Sequence, residues 1–406
     1  MVFKLPLYNF ELLIGQIYII FLCIRLLGII LNLQACQNLA GLSGDCLFLQ
    51  KTVIMSQFHS LNIKSVTPLT EQSVAISFEI PEHLKSVFRF DAGQYLTLKT
   101  KINGEEVRRD YSICASKNSG ELSVSVKAVE GGTFSVYANS KLKAGDTLEV
   151  SEPNGRFLFE ANKEKTRTIA AFAAGSGITP ILSIAKTLLE DEPFSNFILV
   201  YGNKSSENTM FFRDLVELQK TYSKRFHVHF IYSQTNEEDA LFGRIEKSTV
   251  NLIVKNKYKD VSIEKFYLCG PEQMIHTVKD VLLENGVKEK SILFELFTAP
   301  VDTDSNSEVE ALSGNTKIKV LVDDEEFDFE MSKEHTILEA TLKQDIDAPY
   351  SCQGGICSSC IARITEGEAK MRQNNILTDS EVAEGLVLTC QAQPTSDSIV
   401  VDYDDV

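Results

Sequence analysis

From Val74 the chain alternates apolar and polar residues through Val-Ala-Ile-Ser-Phe-Glu-Ile and stops at Pro81. Alternation at period two predicts half-buried strands. It returns after Gly93 in Gln-Tyr-Leu-Thr-Leu-Lys and again in the run from Glu121 to Lys127. Turn pairs punctuate these runs at Asn103-Gly104, Ser119-Gly120, Gly131-Gly132 and Asn154-Gly155, so residues 58–161 read as an antiparallel β-barrel or sandwich. From Thr168 the pattern changes. Thr-Ile-Ala-Ala-Phe-Ala-Ala is continuously apolar, as a strand buried on both faces requires. Strands over 197–201, 227–233 and 266–269 then alternate with helices over 181–189, 211–222 and 272–284, which predicts an α/β doubly wound parallel sheet. A polar, acidic linker follows over 301–314. In the last segment, 315–406, strands over 316–322 and 326–330 form a hairpin, and a helix over 336–342 precedes a cysteine-rich loop.

The predicted boundaries are thus 1–54, 55–161, 162–300, 301–314 and 315–406. The first of these stands apart. Leu12 to Leu33 is apolar except for Gln16, Arg25 and Asn32, which is long enough to span a bilayer, although Arg25 near its middle is costly there. A membrane anchor, an export signal and translated sequence upstream of a start at Met55 all fit. The start at Met55 is favoured, because strand-like alternation begins directly after it.

With 406 residues, 44% hydrophobic and 24% charged, the chain has length for several packed cores. Its net charge of −16 excludes nucleic acid as partner, since no basic face is available to neutralise phosphates. Residues 315–406 carry 19 acidic against 7 basic side chains. A net −12 on this segment suits docking on a basic protein patch, and a solubility face explains the charge equally.

Nine cysteines are present. Cys352, Cys357 and Cys360 follow C-x4-C-x2-C in a loop rich in Gly and Ser, and Cys390 lies downstream. That is the plant-type ligand spacing of a [2Fe–2S] cluster. Gly354 and Gly355 let backbone N–H groups approach sulfur, and Ser358 and Ser359 add hydroxyl donors. A zinc knuckle is the alternative, but zinc more often takes two C-x2-C pairs. Free thiolates point to a reducing, cytoplasmic compartment.

Other motifs gain weight together. Arg109-Asp-Tyr-Ser112 offers a guanidinium for a diphosphate, an aromatic face for a flat ring and a hydroxyl; an exposed Arg beside a core Tyr fits it as well. Lys127-Ala-Val-Glu-Gly-Gly-Thr-Phe-Ser135 opens a short helix on a Gly pair, where free N–H groups suit an anion. Gly175-Ser-Gly-Ile-Thr-Pro180 departs from G-x-G-x-x-G by ending in Pro, which is tolerated in a first helical turn. Such a strand–loop–helix corner cradles a pyrophosphate. Cys269-Gly-Pro271 ends a later strand at the same sheet edge.

In this order the motifs resemble the ferredoxin–NADP reductase-type flavoproteins that carry a C-terminal plant-type ferredoxin domain of β-grasp fold. The resemblance also rests on Phe58-His-Ser-Leu, Gly93-Gln-Tyr-Leu-Thr-Leu-Lys and Tyr201-Gly-Asn-Lys-Ser, and it covers nearly all of 55–406. It implies an oxidoreductase that passes electrons from NAD(P)H through FAD and [2Fe–2S] to a partner oxygenase, foremost a di-iron enzyme acting on an acyl-CoA. A reductase for another oxygenase or a hybrid-cluster protein, or a membrane-tethered one feeding a desaturase, remains open. Arg109, Tyr111 and Ser112 are then expected to hold the flavin and Gly132, Thr133 and Ser135 its phosphates, with Lys127 a further cofactor-binding residue; the Gly-Gly-x-Phe-Ser turn favours FAD over FMN. Gly175, Ser176, Gly177, Thr179, Tyr201, Gly270 and Pro271 are expected around the nicotinamide dinucleotide, with Cys269 close to the hydride position and Glu295 a flavin-proximal acid. Lys204 and the absence of an acid after its strand favour NADPH over NADH.

Overall fold

The computed structural model describes residues 58–297 and 313–406. The apolar run of 1–54, and with it the question of an anchor, lies outside the described residues, as does most of the 301–314 linker. Among the described residues no helix is long and apolar enough to cross a membrane.

Strands β1 (Phe58–Thr70), β2 (Ser73–Glu79), β3 (Tyr95–Ile102), β4 (Glu105–Ser112), β5 (Leu122–Lys127) and β6 (Thr147–Ser151) form one sheet in the order β4-β3-β6-β1-β2-β5. All its pairings are antiparallel. Ile113, one residue past β4, bridges Val124 of β5, so the two outermost strands meet and the sheet curls into a barrel. The alternation read in the sequence is realised: Ile76, Phe78, Leu122, Val124 and Val126 turn inward to one core. Helix α1 (Thr133–Ser140) closes one end, its Phe134 fully buried.

The second sheet is wholly parallel. Strands β7 (Thr168–Ala174), β8 (Asn196–Asn203), β9 (Phe226–Tyr232), β10 (Ala240–Phe242), β11 (Ile263–Gly270) and β12 (Ile292–Leu296) lie in the order β10-β9-β8-β7-β11-β12. Helices α2 (Ile178–Asp191), α3 (Phe212–Thr221), α4 (Lys247–Asn251) and α5 (Glu272–Glu284) complete the crossovers. Both faces of β7 are covered: Ile169, Ala171 and Ala173 pack with α2, while Ala170 and Phe172 pack with α5. Short β10, α4 and edge strand β12 carry too little period of their own to be read from the sequence.

The C-terminal sheet runs β14-β13-β19-β15-β17, from β13 (Asn315–Val322), β14 (Glu325–Ser332), β15 (Ile361–Glu366), β17 (Leu386–Leu388) and β19 (Ser398–Asp402); β16 (Ala369–Met371) pairs with β18 (Ala392–Pro394) beside it. The expected hairpin is β13–β14, and β19 pairs parallel to β13. Helix α6 (Ile337–Leu342) starts at a capping box in which Thr336 and Glu339 satisfy each other's backbone N–H, stabilising its first turn. A second such box, Thr378 with Glu381, starts α7 (Asp379–Ala383).

The barrel joins the parallel sheet through Phe157 and Phe159, whose rings meet Tyr267 edge-on. Below them, Arg167 and Glu192 form a buried two-contact ion pair at 2.6 and 3.1 Å. Ser195 and the backbone N–H of Asn162 also donate to Glu192. Arg167 keeps Glu264 Oε1 at 2.8 Å and the Glu160 carbonyl when Glu192 is lost, so its charge is only partly stranded. Glu192→Ala is therefore expected to lower unfolding free energy by about 1–3 kcal/mol, the cost of lost charged hydrogen bonds, read as a reduced urea midpoint at unchanged m-value.

Candidate functional site

The pleat of β3 and β4 sorts the Arg-Asp-Tyr-Ser motif. Tyr95 lies opposite Ser112 and Thr97 opposite Asp110, whereas Leu96 faces Tyr111 and Leu98 faces Arg109. A cleft of about 1070 Å³ is lined by all four motif residues. That volume is at the upper end for ligand sites. The Tyr111 ring packs on Phe134 at 5.4 Å, and desolvation pushes its phenol far up.

Gly132, Thr133 and Ser135 line the same cleft. A Cβ on Gly132 would stand 2.4 Å from Ser135 Oγ, and that hydroxyl accepts from Val129 N–H. Glycine at 132 is thus required for the turn that opens α1, whose N-terminus has no side-chain cap and presents free N–H groups.

Across the cleft lies the corner between β7 and α2. Ser176 and Thr179 line the cleft, and Thr179 Oγ1 donates to Ser176 O at 3.1 Å. Gly175 turns the chain with φ +56°. A Cβ on Gly177 would stand 2.1 Å from the Cys269 carbonyl oxygen, so the corner touches the end of β11 where strand order reverses, the switch point of such sheets. Tyr201 is fully buried; it braces the corner from below, donating to Gly175 O at 2.8 Å. Cys269 is buried too, and burial, then Glu295, raises its thiol well above the ordinary value. Gly270 ends β11 and exposed Pro271 caps α5.

Lys127 reaches this corner, and Lys204 lies near enough to act on its charge. Lys127 Nζ lies 3.6 Å from the position a Gly175 Cβ would take. Its pKa is lowered by desolvation and then by the charge of Lys204. Neither lysine has an ion-pair partner among the described residues.

Glu295 lies opposite Cys269 in the β11–β12 register. Ser112 Oγ donates to its Oε2 at 3.3 Å. Desolvation, only partly offset by that hydrogen bond, pushes its carboxyl up to about 8.

The cysteine loop closes the cleft from the C-terminal unit: Cys352 and Cys357 line it, while Cys360 and Cys390 are buried behind. The thiols lie as two neighbouring pairs, Cys352 beside Cys357 and Cys360 beside Cys390, close enough to shift each other's titration. Among the described residues no three His, Cys, Asp or Glu side chains are grouped for one metal ion. Two thiol pairs fit a two-iron cluster held by four cysteines better than one tetrahedral ion. Gly354 N–H points at Cys352 Sγ at 3.3 Å, and the Cys357 thiol with such backbone donors pulls Cys352 down to about 6.

Ser358 and Ser359 differ from expectation: their hydroxyls meet Tyr95 and Asp110 of the barrel. Ion pairs flank this contact, Arg108 with Asp347 and Arg156 with Glu381, both at 2.7 Å. Sequence reasoning passed over Tyr95 and Asp110. Asp110 lies within the Arg-Asp-Tyr-Ser motif, but Tyr95 is linked to it only by strand register.

Three family models match in chain order: the oxidoreductase FAD-binding domain over 60–159, the oxidoreductase NAD-binding domain over 172–280 and the 2Fe-2S iron-sulfur cluster binding domain over 320–395. The chain is 39% identical over 352 residues to one component of the 1,2-phenylacetyl-CoA epoxidase of Escherichia coli (strain K12), covering 86% of this chain and 99% of that protein. It is 28% identical to the ferredoxin reductase component of 3-ketosteroid-9-alpha-monooxygenase from Rhodococcus rhodochrous, over 84% of this chain and 96% of the other. Among solved structures, phthalate dioxygenase reductase shares the fold at TM-score 0.55 and 24% identity, covering 85% of this chain and 98% of its own.

Glu295 generates a pH prediction. The native carboxyl keeps its proton up to about pH 8, while the unfolded chain releases it near the ordinary value of 4.5. Between those values the native state binds more protons, so stability falls as pH rises. Glu295→Gln is expected to remove that slope and to raise the melting temperature at pH 8 above wild type, with little difference at pH 4.5, in thermal melts at fixed ionic strength.

Proposed function

The chain belongs to the family of reductases that join FAD-binding, NAD-binding and [2Fe–2S] domains and supply electrons to oxygenases, and on that premise we propose that it draws them from NADPH and delivers them to a di-iron oxygenase acting on an acyl-CoA. One observation carries the reading: a single cleft is lined by the barrel's Arg109, Tyr111 and Ser112, the parallel sheet's Ser176 and Thr179, and the loop's Cys352 and Cys357. Residues 55–161, 162–300 and 315–406 are taken as the three domains, with 301–314 as linker. The acyl-CoA assignment rests on the likeness to the phenylacetyl-CoA epoxidase component.

When bound, FAD supplies the change from a hydride's electron pair to single electrons, which the cluster passes on one at a time. The chain's own residues bind and orient. Arg109 offers a guanidinium for diphosphate, and the N-terminus of α1 at Gly132, Thr133 and Ser135 offers N–H groups to the same anion. Tyr111 presents a ring face and Ser112 a hydroxyl. Glu295, neutral at pH 7, holds a proton at the cleft floor without adding charge there. The corner of Gly175, Ser176, Gly177 and Thr179 is set for a pyrophosphate, with Tyr201 bracing it and Cys269, Gly270 and Pro271 forming the adjoining strand end. Cys352, Cys357, Cys360 and Cys390 are the four thiolate ligands. The six free cysteines among the described residues suit a reducing cytoplasm.

NADPH over NADH is supported by Lys127, whose Nζ lies 3.6 Å from the Gly175 Cβ position, and by Lys204, whose charge acts on it. Lys204→Ala is expected to raise KM for NADPH by about tenfold, the effect of one charged hydrogen bond, and to leave KM for NADH unchanged; equal effects on both would remove the preference.

The electron path is tested by Cys357→Ser. The purified wild type is expected to be yellow and to contain iron in place of zinc. The variant should still reduce its flavin with NAD(P)H but lose turnover of the partner oxygenase; full partner turnover by Cys357→Ser would take the cluster off the path.

A further inference from the structure

The loop between Cys357 and Cys360 holds two serines whose hydroxyls serve the barrel. Tyr95 OH lies 3.0 Å from Ser358 Oγ and 3.1 Å from Ser359 Oγ. Ser359 Oγ donates to Asp110 Oδ2 at 3.2 Å, and Thr97 Oγ1 donates to the other carboxylate oxygen at 2.6 Å. Counting donors orders the chain. Ser359 spends its proton on Asp110, so it accepts from Tyr95, and Tyr95 in turn accepts from Ser358.

The barrel end of this chain is rigid. Tyr95 and Thr97 project from one face of β3, paired in register with Ser112 and Asp110. The Tyr95 ring is 5% exposed and sits against Gly155, where a Cβ would stand 3.0 Å from Cδ1. The strand pair that supplies Ser112 to the cleft therefore also grips the cysteine loop.

We propose that Tyr95 and Asp110 are positioning residues for internal electron transfer, holding the Cys352–Cys360 loop against the cleft through Ser358 and Ser359. The proposal rests on the assignment of flavin and cluster above. Each hydride would bring two electrons and a proton; the electrons would leave one at a time, each reducing one ferric iron of the cluster to ferrous, which the partner reoxidises before the next, and the proton would go to solvent. Those transfers cross this contact, and their rate falls steeply as the loop moves away. The hydride step occurs elsewhere in the cleft and does not depend on the grip.

The experiment uses the full-length holoprotein, with flavin and iron content measured first. Stopped-flow absorbance after mixing with NADPH separates flavin reduction from cluster bleaching, and hydrogen–deuterium exchange follows the amides of residues 351–360. The double variant S358A/S359A is expected to reduce its flavin at the wild-type rate. Its cluster bleaching should slow by on the order of tenfold, the scale of one lost hydrogen bond, with faster exchange in the loop. Tyr95→Phe should slow bleaching similarly, and combining it with Ser359→Ala should add less than the two single effects together, as residues of one network do. Ser359→Thr keeps the hydroxyl and should restore the wild-type rate. Unchanged bleaching or unchanged loop exchange in Tyr95→Phe overturns the proposal, as does equal slowing of both steps in the double variant. A wild-type protein without flavin or iron overturns the underlying assignment instead.

Discussion

Successive side chains of a strand point to opposite faces, and at β4 this pleat divides the work of four consecutive residues. Arg109 and Tyr111 go one way, Asp110 and Ser112 the other, in step with Tyr95 and Thr97 on β3. All four residues line one cleft. Arg109 and Tyr111 on one face and Asp110, which meets the cysteine loop, on the other thus share one hairpin, and a one-residue slip of its register would turn each to the opposite face.

The second half of the site depends on close approach of backbone. The β7–α2 corner can touch the end of β11 only because Gly177 has no side chain where the Cys269 carbonyl lies. Tyr201 fills the space beneath and satisfies the Gly175 carbonyl. Lys127 and the uncapped start of α1 lie on this side of the cleft, within a chain whose net charge is −16. The opposing negative charge is concentrated in 315–406, where it faces the barrel through single ion pairs at Asp347 and Glu381.

Much of the fold was legible because its periods are clean. Alternation marked β2 and β5, a continuous apolar run marked β7 to the residue, and the helix over 272–284 is α5 as read. Helix α2 runs longer than the pattern implied, from Ile178 to Asp191, since Pro180, read as its boundary, sits inside its first turn, where the missing N–H is tolerated. The cysteine spacing needed no tertiary information, because three of four ligands sit in one short loop.

What the sequence determined by itself was local: strand and helix periods, the Gly corners, the C-x4-C-x2-C loop and its distant fourth thiol. Tertiary structure alone decided that Ser358 and Ser359 turn to the barrel, that Tyr95 joins Asp110 through Ser359, and that Lys127 reaches the Gly175 corner. Each of these pairs residues far apart in the chain through register or packing between domains. Hydrogen-bond donors and cations leave no periodic trace of the partner they will meet, so that choice is made only when the sheets close.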